Sequence, residues 1–223
     1  MQIAVEPLMK ASAIHRVVAL ALGLCLCLSM GRAQAVADAQ PHEVVARSAQ
    51  EVANRLEGRR DYLADNPGEL YALVDDVLLP NFDTRYASFL VLGRANWNAA
   101  TREQRDRFVA AFFDFLVRNY AEGLLAFDPR SIVVDDDGPE PDGKRALVQT
   151  SMRQDDGTAV PIIYALRRTD SGWKVYDVRI EGVSYLQNYR NQFGAEIAAN
   201  GIDAVIARLE AESPPDAAPE SSD

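Results

Sequence analysis

Hydrophobic positions in this chain change period twice, dividing it into helices, then strands, then helices again. Between 41 and 64, Val45, Ala49, Val52 and Leu56 recur four, three and four residues apart, which predicts a helix. Asn66-Pro67 marks a new start, with Asn66 placed as a cap and Pro67 at the first helical position. Leu70, Leu73, Val74, Val77 and Leu78 then share one face of a second helix that stops before Pro80. A third, short helix is expected over 84–92, closed by Gly93. The strongest helical signal covers 101–127. Thr101 and Gln104 match a capping box, and Phe108, Val109, Phe112, Phe113, Phe115, Leu116 and Tyr120 follow. These positions fill more than one narrow stripe, so this helix is expected to have apolar neighbours on two sides.

From 131 onward the period becomes two. Residues 131–135, 144–153, 159–168 and 172–181 read as strands, with Asp155-Asp156-Gly157 and Asp170-Ser171-Gly172 as hairpin turns. Val160, Ile162, Tyr164 and Leu166 alternate on one face of the third strand, while Ile163 and Ala165 keep its other face apolar. A sheet covered on both faces, or facing a cavity, shows this pattern. Helical period returns over 184–200 through Leu186, Tyr189, Phe193 and Ile197, with Gly201 as the C-cap and a short helix to about Leu209. Residues 212–223 (ESPPDAAPESSD) are Pro-rich and acidic, and disorder is expected there. Antiparallel strands set between blocks of helix make an α+β fold.

The first 35 residues read as an export signal. Lys10, His15 and Arg16 precede an apolar run over 17–30 (VVALALGLCLCLSM), and Ala33-Gln34-Ala35 supplies small residues for cleavage. The run is short for a membrane span. Met9-Lys10 offers a second, more conventional start. Both Cys25 and Cys27 follow leucine, without the small residue a lipoprotein signal needs. Cleavage leaves one domain over 36–211 and the acidic tail. It removes three basic residues and one acidic one, taking the net charge from −10 to −12. That surface repels nucleic acid and anionic bilayers. The remaining chain has no cysteine and a single histidine, His42, which excludes disulfides, thiol catalysis and Ser-His or Cys-His pairs.

Candidate chemistry is sparse. Asp135-Asp136-Asp137 with Glu140 and Asp142 fails the calcium-loop spacing and reads as a solvated turn. No Walker, G-x-G-x-x-G or G-x-S-x-G pattern occurs. Asp177 and Glu181, four apart, would share one face of a regular strand and are the candidates for acid–base work. Arg102, Arg105 and Arg107 read as a mixed-charge helix face. Arg190, beside Tyr189 and Phe193, either pairs with a phosphate or makes a structural ion pair with Asp177 or Glu181.

Three stretches together carry a family resemblance. One is Leu78-Leu79-Pro80-Asn81-Phe82-Asp83 with ASFLVLG over 87–93 and Trp97; the second is 101–120, with Gln104-Arg105, Phe108, Phe112, Leu116 and Tyr120. The third joins Trp173-Lys174-Val175-Tyr176-Asp177-Val178 and Glu181-Gly182-Val183-Ser184 to Asn188-Tyr189-Arg190-Asn191-Gln192-Phe193 and Gly201-Ile202-Asp203. In order and spacing this resembles the MlaC family of toluene-tolerance proteins, over roughly residues 67–209. The resemblance implies helices packed around a twisted antiparallel sheet of about four strands, with an apolar cavity between the layers. It also implies a periplasmic phospholipid carrier without cofactor, metal or catalytic residue. Its partners would be diacyl phospholipid, an outer-membrane lipoprotein complex and an inner-membrane ABC transporter complex, with lipid asymmetry of the outer membrane as the outcome. Carried onto the apolar positions here, the lining is expected from Leu73, Val74, Leu78 and Leu90, and from Phe108, Phe112, Phe115 and Leu116. It continues through Ile162, Tyr164, Trp173 and Val175 to Val183, Leu186, Tyr189 and Phe193, with Arg190 as the candidate headgroup contact. A pocket isomerase or dehydratase using Asp177 or Glu181 is the alternative, and a module binding a nonlipid ligand is a third.

Overall fold

The structure, a computed structural model, describes residues 39–126, 129–135, 141–153 and 157–212. The export signal, most of the acidic turn, the Asp155-Asp156 hairpin tip and the tail beyond 212 lie outside the described residues. Of those described, Ala39 and the turn Asp170–Gly172 fall in one compact unit, and all others in a second. In the turn, Gly172 takes φ 100°, a conformation that needs no Cβ. The larger unit carries the core.

It begins with α1 (Pro41–Leu56), α2 (Arg60–Asp65) and α3 (Pro67–Val77). The single helix expected over 41–64 is therefore two, because Gly58 sits at φ 67° and turns the chain after buried Leu56. Asn66 is the N-cap of α3 with Pro67 at its start, as expected, but its side chain does not cap that helix: Nδ2 donates back to the Tyr62 carbonyl at 2.8 Å. A 3₁₀ turn (Leu79–Asn81) leads to α4 (Thr84–Ala99), kinked at Gly93 where φ is 71° and ψ 161°. Then comes α5 (Arg102–Tyr120), opened by the expected capping box, with Thr101 Oγ1 accepting from Gln104 N at 3.1 Å. Short α6 (Gly123–Ala126) precedes the sheet.

Five antiparallel strands follow in simple order: β1 (Ile132–Val134), β2 (Arg145–Arg153), β3 (Ala159–Thr169), β4 (Gly172–Ile180) and β5 (Val183–Ser184). Ala146, Val148 and Thr150 on β2 alternate inward with Val160, Ile162 and Leu166 on β3. The opposite face is only locally covered. Ala165 is buried there, but Leu147, Gln149 and Pro161 are exposed, so the sheet is not sandwiched. Two helices end the described part, α7 (Tyr185–Asn200) and α8 (Ile202–Glu212), separated by Gly201 at φ 82°.

Apolar side chains form two cores. Val91, Phe108, Phe112, Phe193, Val205, Ile206 and Leu209 join α4, α5, α7 and α8. Val52, Leu56, Leu63, Leu70 and Val77 join α1, α2 and α3 to Val117 and Ala121 at the end of α5. Thus α5 belongs to both, and the space between the two cores becomes the site.

Candidate functional site

Along α5, Phe108, Ala111 and Phe112 form one apolar stripe and Phe113, Leu116, Val117 and Tyr120 a second, each at helical spacing. The first stripe packs into the core, with Phe112 also reaching the cavity described next. Phe108, Phe112 and Phe193 hold ring centroids 5.6–5.9 Å apart, in the range of favourable aromatic pairs. The second borders a cavity of about 380 Å³. Its other walls are Val74 on α3, Leu78, Leu79 and Phe82, Ala87 and Val91 on α4, and Leu124 on α6. β4 adds Tyr176, Asp177, Val178 and Ile180, and α7 adds Tyr185, Leu186 and Tyr189. Since a dry apolar cavity of about 150 Å³ admits one benzene, this one holds about fifteen carbons. That is one acyl tail of ordinary length.

Tyrosines and exposed backbone mark the mouth. Tyr120 is 45% exposed and Gly123 is exposed, so the cavity meets solvent at the end of α5. Tyr120 and Tyr189 share a hydroxyl–hydroxyl bond of 2.8 Å, and the Tyr185 ring stands edge-on to Tyr120 at 5.4 Å. Burial, then the bond to Tyr120, pushes the Tyr189 phenol well above its ordinary range, so it stays neutral at physiological pH.

Among the described residues, Asp177 is the one carboxylate in the wall, and it is 7% exposed. Its oxygens accept from Ser184 Oγ at 2.8 and 3.0 Å and from Leu186 N at 3.2 Å, with Arg179 Nε 3.5 Å away. Ser184 in turn accepts from Gln187 N at 3.0 Å as the N-cap of α7. Asp177 therefore anchors the start of α7, and its lone pairs are turned toward these donors. Glu181 does not share its face: the strand ends at Ile180, and Glu181 lies exposed in the turn at φ 51°. Among the described residues, no group of three or more His, Cys, Asp or Glu converges to hold a metal.

A second, smaller cavity of about 140 Å³ lies between α1 and the sheet, bounded by Val45, Ser48, Ala49, Val52, Ile132, Tyr164 and Val175. Leu78, Phe82 and Leu124 border both cavities.

Of the residues expected to line a tail site, Val74, Leu78, Phe112, Leu116, Leu186 and Tyr189 meet at the larger cavity. Tyr164 and Val175 face the smaller one, which Leu78 also borders. The others line neither. Leu73, Phe108 and Phe193 are core, Phe115 packs edge-on to Tyr189, and Ile162 and Trp173 are buried in the sheet. Leu90 is half-buried on α4, and Val183 is half exposed on β5. Arg190 is also outside the lining. Gly93 breaks α4 and strands the Leu90 carbonyl, and Arg190 Nη1 donates to it at 3.3 Å. Sequence reading missed Phe113, Val117 and Tyr120 as a separate stripe, although their spacing with Leu116 is in the sequence. It missed Leu79, Phe82, Val91 and Leu124 because only the tertiary arrangement places them beside empty space.

The site is thus a mainly apolar hollow between two helical cores of an α+β unit, with tyrosines at its exposed end. The family model for the MlaC protein matches residues 46–211, and the chain belongs to that family. It is 30% identical over 168 residues to the toluene tolerance protein Ttg2D of Pseudomonas putida, covering 75% of this chain and 78% of that one. It is 25% identical over 179 residues to the intermembrane phospholipid transport system binding protein MlaC of Haemophilus influenzae, covering 79% and 83%. A phospholipid-binding protein of Ralstonia solanacearum, solved in complex with a phospholipid, superposes with a TM-score of 0.70 at 25% identity. That match covers 78% of this chain and 97% of the other.

Proposed function

We propose that this protein is a periplasmic phospholipid carrier that shuttles lipid between outer-membrane and inner-membrane transport complexes, maintaining the asymmetry of the outer membrane. The observation that carries the reading is the apolar cavity of about 380 Å³ with its exposed, hydroxyl-bearing rim. Taking a phospholipid from a bilayer exposes its tails at about 0.8 kcal/mol per methylene, or roughly 12 kcal/mol for each tail of about fifteen carbons. A carrier must replace that surrounding, and walls of Phe, Leu, Val and Tyr do so without directional bonds. The headgroup stays in water at the mouth, near the Tyr120 and Tyr185 hydroxyls. Support comes also from relatives whose names specify phospholipid binding and transport. The export-signal reading fits the periplasm. With no nucleotide-binding loop in the sequence, loading and release are driven by the partner complexes rather than by this chain. Asp177, already engaged by Ser184 and the α7 backbone, serves the wall's architecture and not catalysis.

The test is direct. Organic extracts of the purified protein are analysed by mass spectrometry, and the protein is then assayed for moving labelled phospholipid between donor and acceptor vesicles. Stoichiometric diacyl phospholipid and accelerated transfer are expected. A bound polar metabolite, or no lipid with no transfer, would overturn the proposal.

A further inference from the structure

Among the described residues, Leu78, Phe82 and Leu124 are the ones that border both cavities, so there the two hollows are parted by single side chains. All three are half-buried and apolar. The backbone behind Phe82 is fixed. Phe82 N donates to the Leu79 carbonyl at 2.9 Å, Asp83 N donates to the Val175 carbonyl at 2.8 Å, and Lys174 Nζ reaches the Pro80 carbonyl at 2.6 Å. The Phe82 ring meets Phe113 edge-on at 6.4 Å, packs against the core of α4, α5, α7 and α8, and borders both hollows. A ring with space on both sides can change rotamer without moving the chain.

The smaller cavity is apolar in effect as well as by lining. Ser48 Oγ donates to the Val44 carbonyl at 2.8 Å, and Asn81 Nδ2 to the Val77 carbonyl at 2.9 Å. Neither group needs a ligand or a water there. Close-packed interiors carry few voids larger than a water molecule, and an empty one forfeits contacts on every side. A larger residue at Ala49 would close this void from α1, yet the chain keeps small side chains at 48 and 49.

We propose that Phe82, with Leu78 and Leu124, is a swinging partition between two compartments of one tail site, and that Ala49 and Ser48 at the far end set the acyl-chain length accepted. The inference rests on the phospholipid reading above. On the benzene scale the smaller compartment adds room for about six carbons, the difference between a medium tail and a long one.

Full-length protein is loaded from vesicles of equimolar phosphatidylglycerols whose two tails carry 12, 14, 16 or 18 carbons, and bound lipid is read by mass spectrometry. The wild type is expected to retain the longer species. Ala49→Phe is expected to shift the retained tails shorter by about six carbons. Ala49→Leu, a milder filling, should shift them in the same direction by less and covers the case in which the phenylalanine variant does not fold. Phe82→Ala should raise the share of 18-carbon lipid over the wild type. A wild-type tail distribution in the folded Ala49 variants would overturn the partition while leaving the carrier reading intact. A wild type that takes no lipid from the vesicles would overturn both.

Discussion

Leu116 is a position from which the cavity can be filled with little harm to the fold, because it is half-buried on the hollow side of α5. Leu116→Trp adds roughly a benzene's worth of atoms, about 150 Å³ on the cavity scale. That removes about two-fifths of the 380 Å³ present, or room for about six methylenes. At about 0.8 kcal/mol for each methylene returned to water, the displaced tail loses about 5 kcal/mol. With tenfold per 1.4 kcal/mol, retention should fall more than a thousandfold. The fold should hold, since the added ring enters empty space instead of overpacking a filled one. Wild type and variant are purified alike, their extracts quantified for phospholipid per protein, and their lipid-free forms melted. Little lipid in a cooperatively folding variant is expected. A folded variant with wild-type lipid content would refute the cavity as the tail site.

The other substitutions separate architecture from binding. Gly93→Ala places a Cβ at φ 71° and ψ 161°, a region open essentially to glycine, and should cost about 1–3 kcal/mol in denaturant unfolding. Arg190→Ala leaves the Leu90 carbonyl without its partner and should lower stability by about 1 kcal/mol. Lipid content and headgroup distribution should stay as in wild type, and a changed headgroup profile would return Arg190 to the site. Asp177→Asn weakens the anchor of α7 and should cost about 1–3 kcal/mol, with faster lipid loss measured in a dilution assay. Acidification tests the α7–α8 pair: the bond from Arg208 holds the Glu196 carboxyl below its ordinary range. Its stabilisation, about 1 kcal/mol for a partly exposed pair, is present above the ordinary glutamate value of about 4.3 and lost as pH falls through the depressed one. Glu196→Gln should therefore lose less melting temperature between neutral pH and pH about 3 than wild type does.

Where local chemistry decides a feature, the sequence already shows it. The Thr101–Gln104 box, the Gly93 break, the long strands and the Gly201 stop all rest on residues within a few positions of one another. The cavity is different in kind. Phe108 and Phe113 are both phenylalanines on one helix, yet one is sealed among rings and the other faces a hollow. Periodicity separates their stripes but not which stripe meets filled space, because that depends on how far α3 and α4 stand from β4. Trp173 and Ile162 were expected in the lining for their apolar side chains and are instead buried in the sheet. Asp177 shows the reverse: a strand carboxylate reads as candidate chemistry until the turn at Glu181-Gly182 brings Ser184 and the α7 backbone back onto it.

The most direct measurement is site-specific photocross-linking. A benzophenone side chain is placed at Phe113 in the cavity wall, and in a separate protein at exposed Tyr62 on α2. Each is irradiated with phospholipid vesicles and its mass determined. A covalent adduct of one phospholipid mass at 113, with none at 62, is the expected result. Equal adducts at both positions, or none at 113 in a folded protein, would contradict tail binding in this hollow.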